Sequence, residues 1–522
     1  MTNSNDARRA RGLRWALAVG IAAAAPVFAQ TAPPTTAADN TPPLQEVIVT
    51  GSRIPVPANI SATSPLTVIS RDEIQQQGHT DVSDFMNQLP QNFINAGSDL
   101  GNNSNPLSSA GGVSTVDLRG LGPQRTLVLV DGKRLGNGDP NTLNPNPAAD
   151  IDQIPAVMIE RVDVVTGGAS ATYGSDAMAG VVNFILRRNF QGVEVDAQYG
   201  FNQHGNSNNY MQQQESLTGI NPPTGGTTNG YRRDLSLVFG TNTPDGNGNV
   251  TGYFVYHNQD PTTGDKYDYA DCLYGGPDGC ENSGNSNRYT IGGNQYAVVG
   301  NQWLPWPQAG QVPPATFNSS AYEFLQRQDT RYQGGFLSHY DINDHVKPYL
   351  DFSFMDDRTT EVVAPSGLFE GGNPYSANNQ YTVTCANPFL SAQQLGIVQG
   401  SGACPGGAAD PGTFGINIGR RNIEGGGRSS LYDHTNYRVV GGAQGEIIDG
   451  ITYDAYAQYY YTTLYNANGN YLSSSGINNA LLVNGTAANP TCLSGGSCVP
   501  YNIFQQGGVT QAQLAALYEP GT

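Results

Sequence analysis

The sequence predicts a mixed α/β domain followed by part of an antiparallel transmembrane β-barrel. Three observations point there. Charged residues make up only 13% of the chain, against about a quarter in soluble domains, while Gly (65) and Tyr (28) are abundant. A compact region at 60–190 mixes short amphipathic helices with apolar runs. After 191 come segments of alternating polarity joined by connections that are long and short in turn, the pattern of an outer-membrane barrel. Lys and Arg number 25 against 43 Asp and Glu, a net charge of −18, so a basic face for nucleic acid is not expected.

The first residues read as a secretion signal over 1–29. Arg8, Arg9, Arg11 and Arg14 form a basic start, Trp15 to Ala25 an apolar stretch, and Val27-Phe28-Ala29 a cleavage site. The apolar stretch falls short of the ~20 residues needed to cross a bilayer as a helix. No later run supplies such a helix, so a membrane form must be a closed barrel, which satisfies every backbone group in lipid. Residues 30–54 form a Thr/Ala/Pro-rich linker that ends in a β-prone run, Leu44 to Ile54. A β-prone run on a tether can lend its edge to another protein.

Within 55–190, Ser70 and Glu73 predict a capping box for a short helix closed by Gly78. Thr80 is expected to cap a second helix, with Val82, Phe85, Met86 and Leu89 on one face and Pro90 ending it. Asn92 to Gly112 reads as a loop. Strands are expected at 113–118, 126–130, 162–165 and 181–186, with a short helix at 155–160. Leu127-Val128-Leu129-Val130 is apolar without interruption, so that strand should be covered on both faces, and Asp131-Gly132 marks a tight turn after it.

From 191 to 522, barrel strands are expected at 192–202, 231–240, 250–258, 332–341, 346–357, 430–447 and 451–464. Seven strands cannot close around a domain of that size, since plugged barrels have about 22. The chain stops at Thr522 within an expected long loop, with no terminal strand after it, and so reads as a truncated N-terminal part.

Blocks in the middle region resemble the plug of TonB-dependent outer-membrane receptors. They are Asp117-Leu118-Arg119-Gly120-Leu121-Gly122, Val128-Leu129-Val130-Asp131-Gly132-Lys133-Arg134, Ile159-Glu160-Arg161-Val162-Asp163-Val164-Val165-Thr166-Gly167-Gly168, and the run from Ala169 through Tyr173-Gly174 and Gly180 to Ile185 without a break. Glu46-Val47-Ile48-Val49-Thr50 resembles the TonB box; a first strand that packs on the plug is the other reading of those residues. Gly419-Arg420-Arg421-Asn422-Ile423-Glu424-Gly425-Gly426-Gly427-Arg428 resembles a barrel segment of a subgroup with long external loops, suspected of importing carbohydrates or other bulky nutrients. The resemblance covers 44 to about 465 and implies a mixed α/β plug domain ahead of the incomplete barrel. It further implies active import of a bulky ligand, less readily an iron-siderophore complex, across the outer membrane. The partners implied are TonB with its proton-driven motor, outer-membrane lipid and the nutrient. It implies no catalysis and no cofactor.

Arg119, Arg134, Glu160 and Arg161 sit at strand ends or turns, where they either grip the barrel wall or remain surface charges. Gly120, Gly122, Gly132, Gly167, Gly174 and Gly180 are expected to serve backbone conformation. The cysteines fall as Cys272/Cys280, Cys385/Cys404 and Cys492/Cys498, each pair inside one expected external loop, where disulfides suit an exported protein. No Cys-x-x-Cys is present and the six His are scattered, so no metal or catalytic constellation is expected. Trp303, Trp306, Tyr267, Tyr269 and Tyr274 either stack on sugar rings or pack the loops. A passive porin and a surface-binding protein are the alternative functions; a folded plug with a tethered box argues against the porin.

Overall fold

The computed structural model describes residues 47–48, 56–57, 66–93, 112–140, 148–167, 169–276, 279–280, 282–306, 316–370 and 379–519. The expected signal, most of the linker, Glu46, Val49, Thr50 and Gly168 lie outside them. The chain divides after Val47, and the architecture below belongs to the second unit, Ile48–Thr522.

The plug is built on a five-stranded sheet in the order Leu66–Ser70, Ile159–Val165, Gly180–Leu186, Thr126–Val130 and Lys133–Arg134. Gly180–Leu186 and Thr126–Val130 run parallel, the other pairs antiparallel. Alternation of side chains puts Val128 and Val130 into the main plug core and Leu127 and Leu129 into a second, smaller one on the opposite face. That is why the strand carries no polar residue between Thr126 and Asp131. Ser70 Oγ accepts from the Glu73 amide at the start of the Arg71–Gln76 helix, one half of the expected box.

Two local expectations need correction. The second helix, Val82–Met86, is capped by Asp81 and not Thr80: the Asp81 carboxylate accepts from the Ser83 amide at 2.9 Å. The segment 113–118 is not a strand. Its backbone is satisfied by side chains instead, with Ser114 N donating to Asp150 Oδ1, Asp117 N to Asn92 Oδ1 and Leu118 N to Thr126 Oγ1.

Beyond the plug, seven strands form one antiparallel sheet in sequence order: Gly192–His204, Thr227–Asn242, Gly248–Gln259, Gln328–Tyr340, Lys347–Val363, Arg428–Ile448 and Ile451–Gly469. Each expected barrel strand is present. Several run further than the alternation of apolar residues suggested, because the ladder continues through polar pairs such as Ser429↔Gly469 and Ser430↔Asn468. The sheet is open among the described residues, with the first and last strands at its edges. One face carries the exposed Val193, Val195, Tyr199, Phe201, Leu235, Phe239, Phe254, Leu350, Tyr459 and Tyr461, a band suited to lipid. The other face meets the plug, and its Val238, Tyr253 and Leu337 join the plug core.

The short connections, 243–247, 341–346 and 449–450, lie at one end of the wall. The long connections at the other end are more than loops. Segments from 260–327, 364–427 and 470–519 combine into one folded external region. Its sheet has the order Gln302–Pro305, Asn294–Val299, Ser286–Ile291, Thr413–Arg421 and Gly367–Leu368, with Tyr381–Thr384 also paired to Thr413–Arg421. Helices Ala392–Gly400, Ser474–Leu481 and Gln511–Leu517 pack on it around Tyr289, Trp303, Val383, Ile416, Leu481 and Phe504. These links hold enough apolar side chains to bury a core of their own, which a loop on a barrel rim does not need.

Candidate functional site: the seam between plug and wall

Strand alternation decides which wall residues can reach the plug. With Val193 and Val195 turned outward, Glu194 turns inward, where its carboxylate meets Arg71 of the first plug helix at 2.8 Å and Arg187 at 3.0 Å. The same parity brings Arg232 to Asp84 of the second plug helix (3.1 Å) and His434 to Asp150 (3.2 Å). Tyr460 accepts from Gln153 at 3.0 Å. Arg188, just past the last plug strand, spans Asp131 of the plug (2.8 Å) and Asp351 of the wall (2.7 Å). Lys133 lies 3.7 Å from Asp454 and over the rings of Tyr349 and Tyr456.

Arg331 is the centre of this seam. Its guanidinium is 5% exposed and faces four carboxylates: Asp81 (2.7 Å) and Asp152 (3.5 Å) from the plug, Asp329 (2.9 Å) and Asp357 (3.3 Å) from the wall. One cation among four acids leaves the negative charge in excess. The plug acids respond differently. Burial pushes the Asp81 carboxyl up, but Arg331 and His257 more than reverse this and hold it well below the usual range. Burial raises Asp152 well above that range; Arg331 opposes the shift, while Asp150 and Asp81 add to it. The surroundings therefore favour the charged form of Asp81 and the protonated form of Asp152. Gln333 of the wall also donates to the Asp152 carbonyl, tying the backbone of the same turn.

The plug residues expected from the motifs are placed mainly within the plug. Arg119, at φ 61°, donates to the Ala179 carbonyl (2.9 Å) and so ties the turn containing Gly120 (φ 66°) to the segment before the last plug strand. Arg134 binds Asp176 and the Tyr173 carbonyl, and this hydrogen bonding holds the Asp176 carboxyl below its usual range. The wall reaches Arg134 through its backbone: Gln458 donates to its carbonyl at 2.9 Å. Arg161 donates to Asp163 at 3.2 Å, and Glu160 is exposed. Asp131, at φ 50°, accepts from the Leu186 amide, and the Gly132 amide donates to Asn183. A Cβ on Gly180 would lie 2.3 Å from the Val165 carbonyl, which explains glycine there; Gly174 takes φ 95° beside Arg134, and Gly167 sits in the bend after Val165. Of the TonB-box-like residues, the backbone of Val47–Ile48 forms a two-residue strand.

Wall contact thus falls chiefly to Arg71, Asp81, Asp84, Lys133, Asp150, Asp152 and Arg188, none of which the sequence marks as a grip on the wall. The signal that could have found the wall partners is parity, since Glu194, Arg232, Arg331, Asp351 and Asp454 are charged residues at inward positions. Their plug partners carry no comparable local mark. The cysteines close as Cys272–Cys280, Cys385–Cys404 and Cys492–Cys498. Trp303 is buried in the external core, Tyr267 is buried, Trp306 is half-buried under Arg288, and Tyr269 and Tyr274 are exposed.

Residues 58–181 match the model of the TonB-dependent receptor plug domain. Among solved structures, the chain is similar to a mutant ferric enterobactin receptor from Pseudomonas aeruginosa in complex with enterobactin, at 15% identity and TM-score 0.40, over 78% of this chain and 46% of that one. It is also similar to the siderophore receptor PirA from Acinetobacter baumannii (14%, TM-score 0.32, 77% and 48%) and to the unliganded ferric citrate transporter FecA (13%, TM-score 0.35, 78% and 48%). The chain spans about half the length of these receptors. Residues 58–181 are thus a TonB-dependent receptor plug domain, which a large antiparallel wall follows in the chain.

Proposed function

We propose that this protein imports a bulky nutrient across the outer membrane by active, TonB-driven transport. The observation that carries the reading is the character of the seam. A plug meant to stay fixed would be joined to its wall by a broad apolar interface. Here the contact is dominated by buried ion pairs and hydrogen bonds, with Val238, Tyr253 and Leu337 of the wall in the plug core and Val255 packed against it. Such pairs contribute little net adhesion, because their desolvation offsets their attraction, yet they fix one geometry. A domain held this way keeps its register at rest and slips under force. The force enters through Glu46–Thr50, which TonB takes up as an added strand. Pulling there separates the Arg331 cluster and opens a path along the wall.

The expected ligand is a carbohydrate or other bulky nutrient, whereas the receptors named above are two siderophore receptors and a transporter of ferric citrate. The substrate proposed is therefore a bulky ligand of either kind. The test is uptake by cells carrying the receptor, with labelled oligosaccharides and ferric siderophores offered in parallel. Uptake that stops on deletion of 46–50 and on collapse of the proton gradient supports import. Uptake that survives both means a passive channel.

A further inference from the structure

The external region contains a cavity of about 340 Å³, in the size range of ligand sites, where three separate connections meet. Asn285, Asn287 and Phe317 come from the first, Arg420 and Arg421 from the second, and Gln505 and Gln506 from the third. The two adjacent arginines differ. Arg420 is neutralised by Glu424 at 2.5 Å, and also bonds Asn422. Arg421 has no carboxylate within ion-pair distance among the described residues. It donates to the Pro365 carbonyl at 2.9 Å and weakly to Ser283 Oγ at 3.4 Å, its Nε is buried without an acceptor, and its flat face lies 4.8 Å from the Phe369 ring. Most of its five N–H donors are unused. Burial and then the neighbouring Arg428 weaken its hold on the proton, while Glu323 acts only from beyond ion-pair distance.

In a chain with net charge −18, a half-buried guanidinium that meets no counter-ion among the described residues, beside a cavity lined in part by amides, has an unfilled role. We propose that the cavity is a ligand subsite in which Arg421 receives a carboxylate group of the imported nutrient. A guanidinium suits this group because it can pair with both carboxylate oxygens at once, with amides at the rim left to orient the remainder. The carboxylate could be carried by a uronate oligosaccharide or by a ferric carboxylate complex. The ligand's subsequent import rests on the function proposed above; its binding does not.

Titration calorimetry on the purified full chain tests the subsite with trigalacturonate, ferric citrate and neutral maltotriose. One acidic probe is expected to bind and maltotriose not to, and which acid binds identifies the carrier. Arg421→Gln should weaken that binding at least tenfold, and Arg421→Lys by less. Gln506→Glu leaves an acceptor for the Gly300 amide, which Gln506 now serves at 3.0 Å, and places a negative charge at the cavity. It should weaken acidic-probe binding severalfold even if Arg421→Gln misfolds. Binding of neither acid, equal binding of maltotriose, or acid binding unchanged in the folded variants overturns the subsite. Deletion of 46–50 should leave binding intact while stopping uptake. Passive uptake with Arg421-dependent binding would remove the import reading and keep the subsite.

Discussion

The plug seam and the external region are both built from residues distant in sequence, but they are held by opposite physics. The external region closes around aromatic and aliphatic side chains, with Trp303, Tyr289 and Phe504 fully buried and the Cys385–Cys404 bridge inside the core. The seam closes around charges: Arg331 with four carboxylates, Glu194 between two arginines, and Arg188 between two aspartates. Apolar burial stabilises in proportion to area and tolerates small shifts, whereas a buried ion pair is sensitive to fractions of an ångström. The contrast assigns persistence to the cap and a defined breaking point to the seam.

The largest effect that would sharpen this contrast is expected from Arg331→Met. It leaves four buried acids without their shared cation and should destabilise the plug within the wall by about 3–5 kcal/mol, as is usual when one partner of a buried charge cluster is removed. Urea titration of the plug measures it, and an unchanged midpoint would break the comparison. Replacing Cys385 and Cys404 together by Ala should cost the external region about 3 kcal/mol and leave plug protection from hydrogen exchange unaltered. Protection lost in both regions would mean that they fold as one unit. Gly180→Ala should cost about 1–3 kcal/mol, because the strain of its backbone and the approach of Val165 act inside the plug sheet.

A smaller, pH-dependent effect is expected in the connection between the first two wall strands. Glu215, in the Asn209–Leu217 helix, is fully buried, and burial, with Asp271 and Asp268 adding to it, raises its carboxyl to about 7. A raised acid is harmless while protonated in both folded and unfolded chains. Local stability is therefore highest below the usual glutamate range near 4.5 and declines as pH rises toward 7. Glu215→Gln should stabilise this segment at pH 8 and change nothing at pH 4, read as the shift in denaturation midpoint at each pH. An equal shift at both would show that Glu215 does not titrate there.

Much of the architecture was legible in the sequence. The wall strands declared themselves through alternation, and the link lengths showed which end was external. Other elements were legible only in part. The 113–118 segment has strand composition but finds Asp150 and Asn92 as partners before any neighbouring strand, a choice made by residues elsewhere in the chain. The sequence of the external region reads as loops because its strands are short and lie far apart in the chain. At the seam, parity marks Arg331 and Glu194 as inward, but pairing Arg331 with Asp81 needs knowledge across 250 positions. The charged motif residues Arg119 and Arg134 drew attention as possible grips, although their side chains serve the plug's own turns.

The central claim is that the plug is registered in its wall by charge pairs that cross the seam, and the Asp81–Arg331 contact at 2.7 Å is a direct, largely buried instance. A double-mutant cycle with Asp81→Asn and Arg331→Met, read by urea denaturation of the plug in the full chain, tests it most directly. A coupling energy of about 1–3 kcal/mol is predicted, in the range found for contacting residues in one network. Additivity of the two substitutions would contradict it and leave the plug held by something other than these charges.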